Sequence, residues 1–410
     1  MNTQRVIDAV SGARLLQRLA QLATYGGLEG GAMNRQALSE HDFDARAWLI
    51  GQARQLGCRV WTDPCANLFI RYDGDSELAP VMTGSHIDTQ PSGGRLDGCY
   101  GVMAGLECLQ ALAATGVRTR RPIELVVWTN EEGSRFSPGA MGSSAYVDPT
   151  RLAGYRRCQD ADGVSFGQAL DAHAHRFAHL PLRSTVQAHA FVELHIEQGP
   201  VLEQAGNPLG VVSGIQGVRW YQVRCHGAPA HAGTTPMPLR RDALLAATAC
   251  LVRIDALAQR LAGADRRLTF GRWQVTPNSI NTIAGQACFS IDFRHADAAV
   301  LEAFDAELVT CLPEGAELEP LFSHAPTAFD PAVIDVLEQA CAATGMASQS
   351  IRSGAFHDAM YLASHCPTAM LFVPSRDGVS HNPLEHTEPQ HLLAGARALA
   401  WSLVQLADQA

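Results

Sequence analysis

The chain has 410 residues, 47% hydrophobic and 18% charged, with a formal net charge of −10. Its length exceeds what one core usually organises and predicts two domains, while the acidic balance argues against a nucleic-acid surface. All 31 basic residues are arginine, which excludes Schiff-base and P-loop lysines and Ser-Lys dyads, and with them PLP enzymes, P-loop NTPases and kinases.

The N-terminal "MNTQRVIDAVSGARLLQRL" reads as one amphipathic helix carrying both charge signs, unlike a signal peptide. "ALSEHDFDARAWLIGQARQLG" has helical period, and "CRVWTDPCANLFIRYDG" reads as a strand pair. "APVMTGSHID" is an apolar strand, "GVMAGLECLQALAATG" a helix ended by Gly116, and "RPIELVVWTNEEG" a strand whose unbroken apolar run predicts cover on both faces. "HAFVELHIEQGP" is a further strand. This alternation predicts an α/β sheet flanked by helices. Near residue 213 the texture changes: "GVRWYQVRCHG" alternates, "RRDALLAATACLVRIDALAQRLA" is a long helix, "RLTFGRWQVTP" and "GQACFSIDFRH" resemble a strand pair, and "AVLEAFDAELVTCL" is a helix. βα texture resumes with "PAVIDVLEQACAATG" and "PTAMLFVPS", and the helix "PQHLLAGARALAWSLVQLA" closes the chain. The expected organisation is therefore a catalytic α/β domain with a mixed sheet, residues 1–212 and 328–410, interrupted by an inserted α+β domain, residues 213–327. No stretch of 18 apolar residues occurs, so no membrane helix is predicted. The 11 cysteines form no C-x-x-C pair, the usage of reduced cytoplasmic thiols.

Ligands of open α/β sheets bind beyond the carboxyl ends of strands, and metal-type side chains recur at such ends here. His86 and Asp88 close one strand, and Asp97 follows among Gly93, Gly94 and Gly98. Glu131 and Glu132 follow "ELVVWTN", His195 and Glu197 close "AFVELHIE", and His381 lies in the loop after "AMLFV". Any one of the 16 histidines is by itself more often structural; the four strand ends together predict a site for two divalent ions. A shared carboxylate would offset the repulsion of two such ions, neutral imidazoles would complete each shell, and a separate carboxylate would take a proton from water. The pair Glu131-Glu132 suits that division, its alternative being an exposed acidic turn. Asp88, two residues from His86, is expected to accept the imidazole's other N–H. Arg294 ends the strand "CFSIDFR", where its fork could hold a carboxylate or form a surface salt bridge. His231, among small residues in "APAHAGTT", suits a ligand-facing segment or an exposed loop.

"GSHIDTQPSGGRLDGCYGV", "TNEEGSRF", "ELHIEQGPVLE", "HAGTTPMPLRRDA" and "DGVSHNPLEH" resemble the M20-type metallohydrolases. The resemblance is to the branch of N-carbamoyl-L-amino-acid hydrolases, β-ureidopropionases and allantoate amidohydrolases, and it runs in order from about residue 84 to 387. It implies one ion on His86, Asp97 and His195 and another on Asp97, Glu132 and His381, with Asp97 bridging. Zn is the first expectation, and Mn, Co and Ni accept the same ligands. It implies Glu131 as general base, His231 as donor to the oxyanion, Asn281 and Arg294 on the substrate carboxylate, and Gln198 and Gly354 lining the site. His386 competes with His381, which matches the family's S-H-x-P-x-E pattern. The inserted module resembles the family's lid and dimerisation domain and implies a homodimer, which the cysteine usage would place in the cytoplasm. Ala284 and Phe356 depart from the family's usual proline and small residue.

The expected activity is hydrolysis of an N-carbamoyl-L-amino acid, a small ureido-carboxylate, to amino acid, ammonia and CO2. Allantoate and N-carbamoyl-β-alanine are the alternative substrates, and a catalytically silent binding protein is the alternative class. A dipeptidase fits less well with His195.

Overall fold

The computed structural model describes residues 2–409, and all counts refer to these. The strands are β1 (Arg59–Thr62), β2 (Leu68–Tyr72), β3 (Val81–His86), β4 (Ile123–Trp128), β5 (Ala190–Ile196), β6 (Leu209–Ile215), β7 (Gly217–His226), β8 (Arg267–Thr269), β9 (Trp273–Thr276), β10 (Gln286–His295), β11 (Glu317–His324), β12 (Thr327–Ala328), β13 (Ser348–Ser353) and β14 (Thr368–Val373). Contacts divide the chain into two compact units, one formed by residues up to Ser213 with those from Ala328 onward, the other by Gly214–Thr327.

The larger unit is built on a nine-stranded mixed sheet in the order β1-β2-β4-β3-β5-β14-β6-β12, with β13 also paired to β6. Its centre, β4-β3-β5-β14, is parallel, and every residue of those four strands is buried. That is why they read as unbroken apolar runs. The helices Cys99–Thr115 and Pro389–Asp408 pack on β3 and β5. The first is apolar nearly all round and stops at Gly116, whose φ of 65° supplies the left-handed cap.

The chain start differs from the single helix expected. Helices Asn2–Ala9 and Gly12–Leu22 are separated at Ser11, whose hydroxyl accepts from the Arg14 amide. The Ser11 amide in turn donates to the buried Glu107 carboxylate at 2.8 Å, and Arg14 and Arg18 also bind that carboxylate. A capping hydroxyl and a buried anion thus compete successfully with helix continuation.

His173, on the helix Phe166–Arg176, is 3% exposed and packs against Phe43 and Phe177 with ring centroids 6.1 and 4.8 Å away. Burial, reinforced by the charge of Arg46, pushes its imidazole down to about 3. The unfolded chain binds this proton below pH ~6.5 while the folded chain does not until about 3. Stability from this group is therefore complete above pH ~6.5 and is lost as pH falls, by about 2 kcal/mol at pH 5. His173→Leu is expected to shrink the drop in Tm between pH 7.5 and pH 5. A variant as acid-sensitive as the parent would refute the assignment.

The smaller unit has a five-stranded sheet, β11-β7-β10-β8 with β9 also on β10, all antiparallel. Alternate residues of β10, among them Ala287, Phe289, Ile291 and Phe293, form a core with the helices Ala243–Ala262 and Ala298–Leu308. The segment expected as one strand is two. β9 pairs with Gln286–Phe289 and β8 with Asp292–Arg294, the break falling at Phe270-Gly271-Arg272.

Candidate metal centre

The four parallel central strands end on the same edge of the sheet, and each delivers site residues there. His86 is the last residue of β3, and Asp97 follows in the loop that enters the helix Cys99–Thr115. Glu131 and Glu132 follow β4, His195 lies one residue before the end of β5, and His381 lies in the loop after β14. The loops turn sharply: Asn130, Gln198 and His381 have φ of 57°, 58° and 53°. Such non-glycine conformations cost of order 1 kcal/mol or more and persist only where surroundings enforce them. Gly98, with φ of 62°, is required for space as well, because a Cβ there would lie 2.4 Å from the His86 ring.

Asp97 stands at the centre. Its Oδ1 is 3.1 Å from His195 Nε2 and 3.6 Å from His86 Nε2, while its Oδ2 is 3.3 Å from His381 Nε2. His381 Nε2 is also 3.3 Å from Glu132 Oε2. Two ligand triads meet at Asp97, His86-Asp97-His195 and Asp97-Glu132-His381, the ligand atoms of each lying within 4.8 Å of one another, and a third group of the same compactness, Glu193-His195-His357, shares His195. Glu131 and Glu132 diverge at the Asn130 turn. Glu131 Oε2 lies 3.5 Å from His86 Nε2, whereas Glu132 faces His381 and accepts from Gln90 Nε2 at 2.8 Å.

The histidines are oriented from behind. His86 Nδ1 meets the Asp88 carbonyl at 2.9 Å and His195 Nδ1 meets the Ile196 carbonyl at 2.8 Å. Carbonyls only accept, so both Nδ1 atoms carry hydrogen and both Nε2 lone pairs face the site. His195 Nε2 accepts from the Gly98 amide at 3.0 Å.

The electrostatics call for a cation. Asp88, Asp97, Glu131 and Glu132 have side chains at most 9% exposed, and their ion-pair partners among the described residues are all histidines. Burial pushes the Glu131 carboxyl well above its usual range; His86 opposes this, and Asp358, Glu132 and Asp97 add to it. Burial would raise Asp97 too, but the neighbouring imidazoles of His195, His381 and His86 hold it well below normal. Hydrogen bonds to Asp97 and Glu132 carry His381 up to about 10. A proton on His381 thus does what a divalent ion does better: it offsets clustered buried anions. Imidazole and carboxylate donors in two triads fit such ions chemically.

Several expected contacts are made differently. The Asp88 carboxylate does not take the His86 N–H, since its Oδ1 is 3.8 Å from Nδ1. It accepts the backbone amides of Glu131 and Glu132 at 3.2 and 3.1 Å instead. The strand ends at His86, so the same-side rule for alternate residues no longer holds beyond it. Glu197 turns away to accept the Val201 and Leu202 amides at 2.7 and 2.8 Å, capping a short helix. The Gln198 side chain donates through Nε2 to Asp97 Oδ2 at 2.7 Å. His386 pairs with Glu388 at 3.4 Å and belongs to neither triad. Gly354 is exposed, with nothing within 4 Å of where a Cβ would be.

In the smaller unit, Arg294 forms a two-pronged ion pair with Asp292, Nε to Oδ1 at 2.9 Å and Nη2 to Oδ2 at 2.8 Å. The two residues alternate on β10 and so share a face. His231 is exposed and bridges Thr282, which sets it beside Asn281; the Ala232 amide donates to the Asn281 carbonyl at 2.9 Å. The Gly233 amide donates to His231 Nδ1 at 3.1 Å, leaving the N–H of the neutral ring on Nε2. Ala284 is buried in the unit's apolar core.

Other contributors carry no clear signal in the sequence. His357 packs edge-on to His195 with centroids 4.6 Å apart and meets Ser353 Oγ at 2.9 Å. Glu193, two residues before His195 on β5, accepts from Ser85 and from the Ala359 amide. Glu385 is 4% exposed and joins the loops of Asp97 and His381. Only the S-H-x-P-x-E pattern signals it.

A parallel-centred sheet carrying a histidine-carboxylate cluster at its carboxyl edge defines a divalent-metal-binding α/β protein. Residues 82–404 match the model of peptidase family M20/M25/M40, and the chain belongs to that family. It is 36% identical to an N-carbamoyl-L-amino acid amidohydrolase of Geobacillus stearothermophilus, over 97% of this chain and 99% of that one. It is 35% identical to the allantoate amidohydrolase of Escherichia coli (strain K12), over 96% and 97%. A crystal structure of a hydantoinase/carbamoylase family amidase from Burkholderia multivorans superposes with a TM-score of 0.90 at 40% identity, covering 98% and 99%.

Proposed function

We propose that the chain hydrolyses the ureido C–N bond of N-carbamoyl-L-amino acids, consuming one water and giving the amino acid, ammonia and CO2. The observation that carries this reading is the sharing of Asp97 between two triads, one oxygen toward each. The similarity to N-carbamoyl-L-amino acid amidohydrolases along nearly the whole chain supports the substrate class. In this reading His86, Asp97 and His195 hold one divalent ion, and Asp97, Glu132 and His381 hold a second. Zinc suits the donors, as do Mn, Co and Ni. Bound there, the ions supply Lewis acidity toward the carbamoyl carbonyl and toward water.

The chain's own residues do the rest. Glu131 lies in neither triad, so its carboxylate takes the proton of the attacking water and returns it to the leaving nitrogen. Asp88 sets the turn that parts Glu131 from Glu132 by holding both amides. Gln198 steadies Asp97, and Gly354 leaves room for substrate. His231 offers Nε2–H to the developing oxyanion, and Asn281 with Arg294 binds the substrate carboxylate, Arg294 exchanging its pairing with Asp292. The inserted unit serves as lid and dimerisation surface of a cytoplasmic homodimer. The exposed Leu244, Leu245 and Val252 on the helix Ala243–Ala262 support the dimer, and a monomer on sedimentation would end that part.

A second reading, allantoate amidohydrolase, has specific support in the 35% identity to the Escherichia coli enzyme. The test is a panel of N-carbamoyl-L-amino acids, N-carbamoyl-β-alanine and allantoate, assayed for ammonia after chelation and reconstitution with each metal. Carbamoyl amino acids are expected to give the highest kcat/KM. Preference for allantoate selects the second reading, and metal uptake without turnover of any substrate selects a binding protein.

A further inference from the structure

We propose that Glu385 is a positioning residue that holds the Asp97 loop in register with the His381 loop, so that its loss selectively weakens the ion held by Asp97, Glu132 and His381. The inference rests on the two-ion reading above. Its grounds are geometric. Glu385 Oε1 accepts the backbone amides of Leu96 and Asp97 at 2.8 and 3.1 Å, across 289 and 288 residues of sequence. Its Oε2 lies 3.0 Å from Ser380 Oγ, directly before His381. Ser380 Oγ is itself 3.1 Å from Asp97 Oδ2, so a closed ring runs from the Glu385 carboxylate through the Asp97 backbone and side chain to Ser380 and back. Gly94 makes room for this ring, since a Cβ at that position would fall 2.2 Å from Glu385 Oε1.

The two triads do not depend on the ring equally. His86 and His195 are fixed within strands β3 and β5 and by backbone carbonyls at their Nδ1 atoms. His381 sits on an irregular loop with φ of 53° and a side chain 49% exposed. A loop-borne ligand needs an outside reference, and Glu385 supplies it by gripping the amide of the residue that both triads share. Outer partners of metal ligands typically contribute roughly ten- to a hundred-fold in affinity, and here that contribution should fall on one ion only.

The test compares Glu385→Ala, Glu385→Gln and Ser380→Ala with the parent, in two arms. In the chelated full-length protein, hydrogen exchange at the Leu96 and Asp97 amides is expected to quicken at least about ten-fold in Glu385→Ala. It should stay near parental in Glu385→Gln, whose amide oxygen still accepts both N–H groups. In Co2+ titrations followed by visible absorption and calorimetry, Glu385→Ala is expected to keep one equivalent at parental affinity and to bind the other roughly ten- to a hundred-fold more weakly. Ser380→Ala, which leaves the buried carboxylate in place, should weaken the same equivalent by less. Unchanged exchange, or equal weakening of both equivalents, overturns the proposal. A parent that takes up a single equivalent defeats the two-ion reading instead, and the exchange arm then decides the role of Glu385. Should Glu385→Ala not fold, the Ser380→Ala titration decides it.

Discussion

Asp97→Asn is expected to abolish loading of both proposed metal positions and to lower kcat/KM by more than about 10³-fold, beyond the ten- to hundred-fold loss typical of outer partners. The carboxylate presents one oxygen to His86 and His195 and the other to His381. An amide keeps one acceptor and turns the other into a donor. That donor would face Gln198 Nε2 and Ser380 Oγ, which already bring hydrogens to Oδ2. Metal content by mass spectrometry reads the effect, with circular dichroism as a check on the fold. A folded Asp97→Asn variant with parental metal content would sink the shared-ligand assignment.

Glu131→Gln should separate chemistry from assembly. Because Glu131 belongs to neither triad, metal content and KM are expected to stay near parental while kcat falls by roughly 10²–10⁴, the usual contribution of a positioned general base. Its pH profile should change as well. The protonated acid cannot accept from water, so parental kcat is lost as pH falls through the pKa that Glu131 has in the metal-loaded enzyme. The glutamine variant should lack that limb. Retained turnover with an unchanged acid limb would move the base role to another group.

The side chains of the centre are legible in the sequence to a degree their partners are not. His86, His195 and the Glu131-Glu132 pair each terminate or follow an unbroken apolar run, and fully covered parallel strands place such ends together. The neighbour order of β4, β3, β5 and β14 is not readable, because each of these strands carries the same apolar pattern on both faces. Alternation misplaces Asp88 when it is carried past the residue where the strand stops. The pairing of Arg294 with Asp292 follows from that same alternation, which does operate within β10. The contacts of Glu385 are beyond reach for another reason: its amide partners lie 288 and 289 residues away, and the S-H-x-P-x-E pattern that marks the residue does not encode that meeting. The break after Ala9 likewise depends on Glu107, a buried anion from a distant helix.

The place of β14 between β5 and β6 has a consequence for biosynthesis. Strands β5 and β6 leave the ribosome well before the one that joins them, so each waits with a bare row of amides and carbonyls. Such rows recruit foreign strands, and pairing over long sequence separations is slow to form. A message cut short ahead of Thr368 would release a polypeptide with a split sheet and without His381, fit for degradation or clumping but not for turnover.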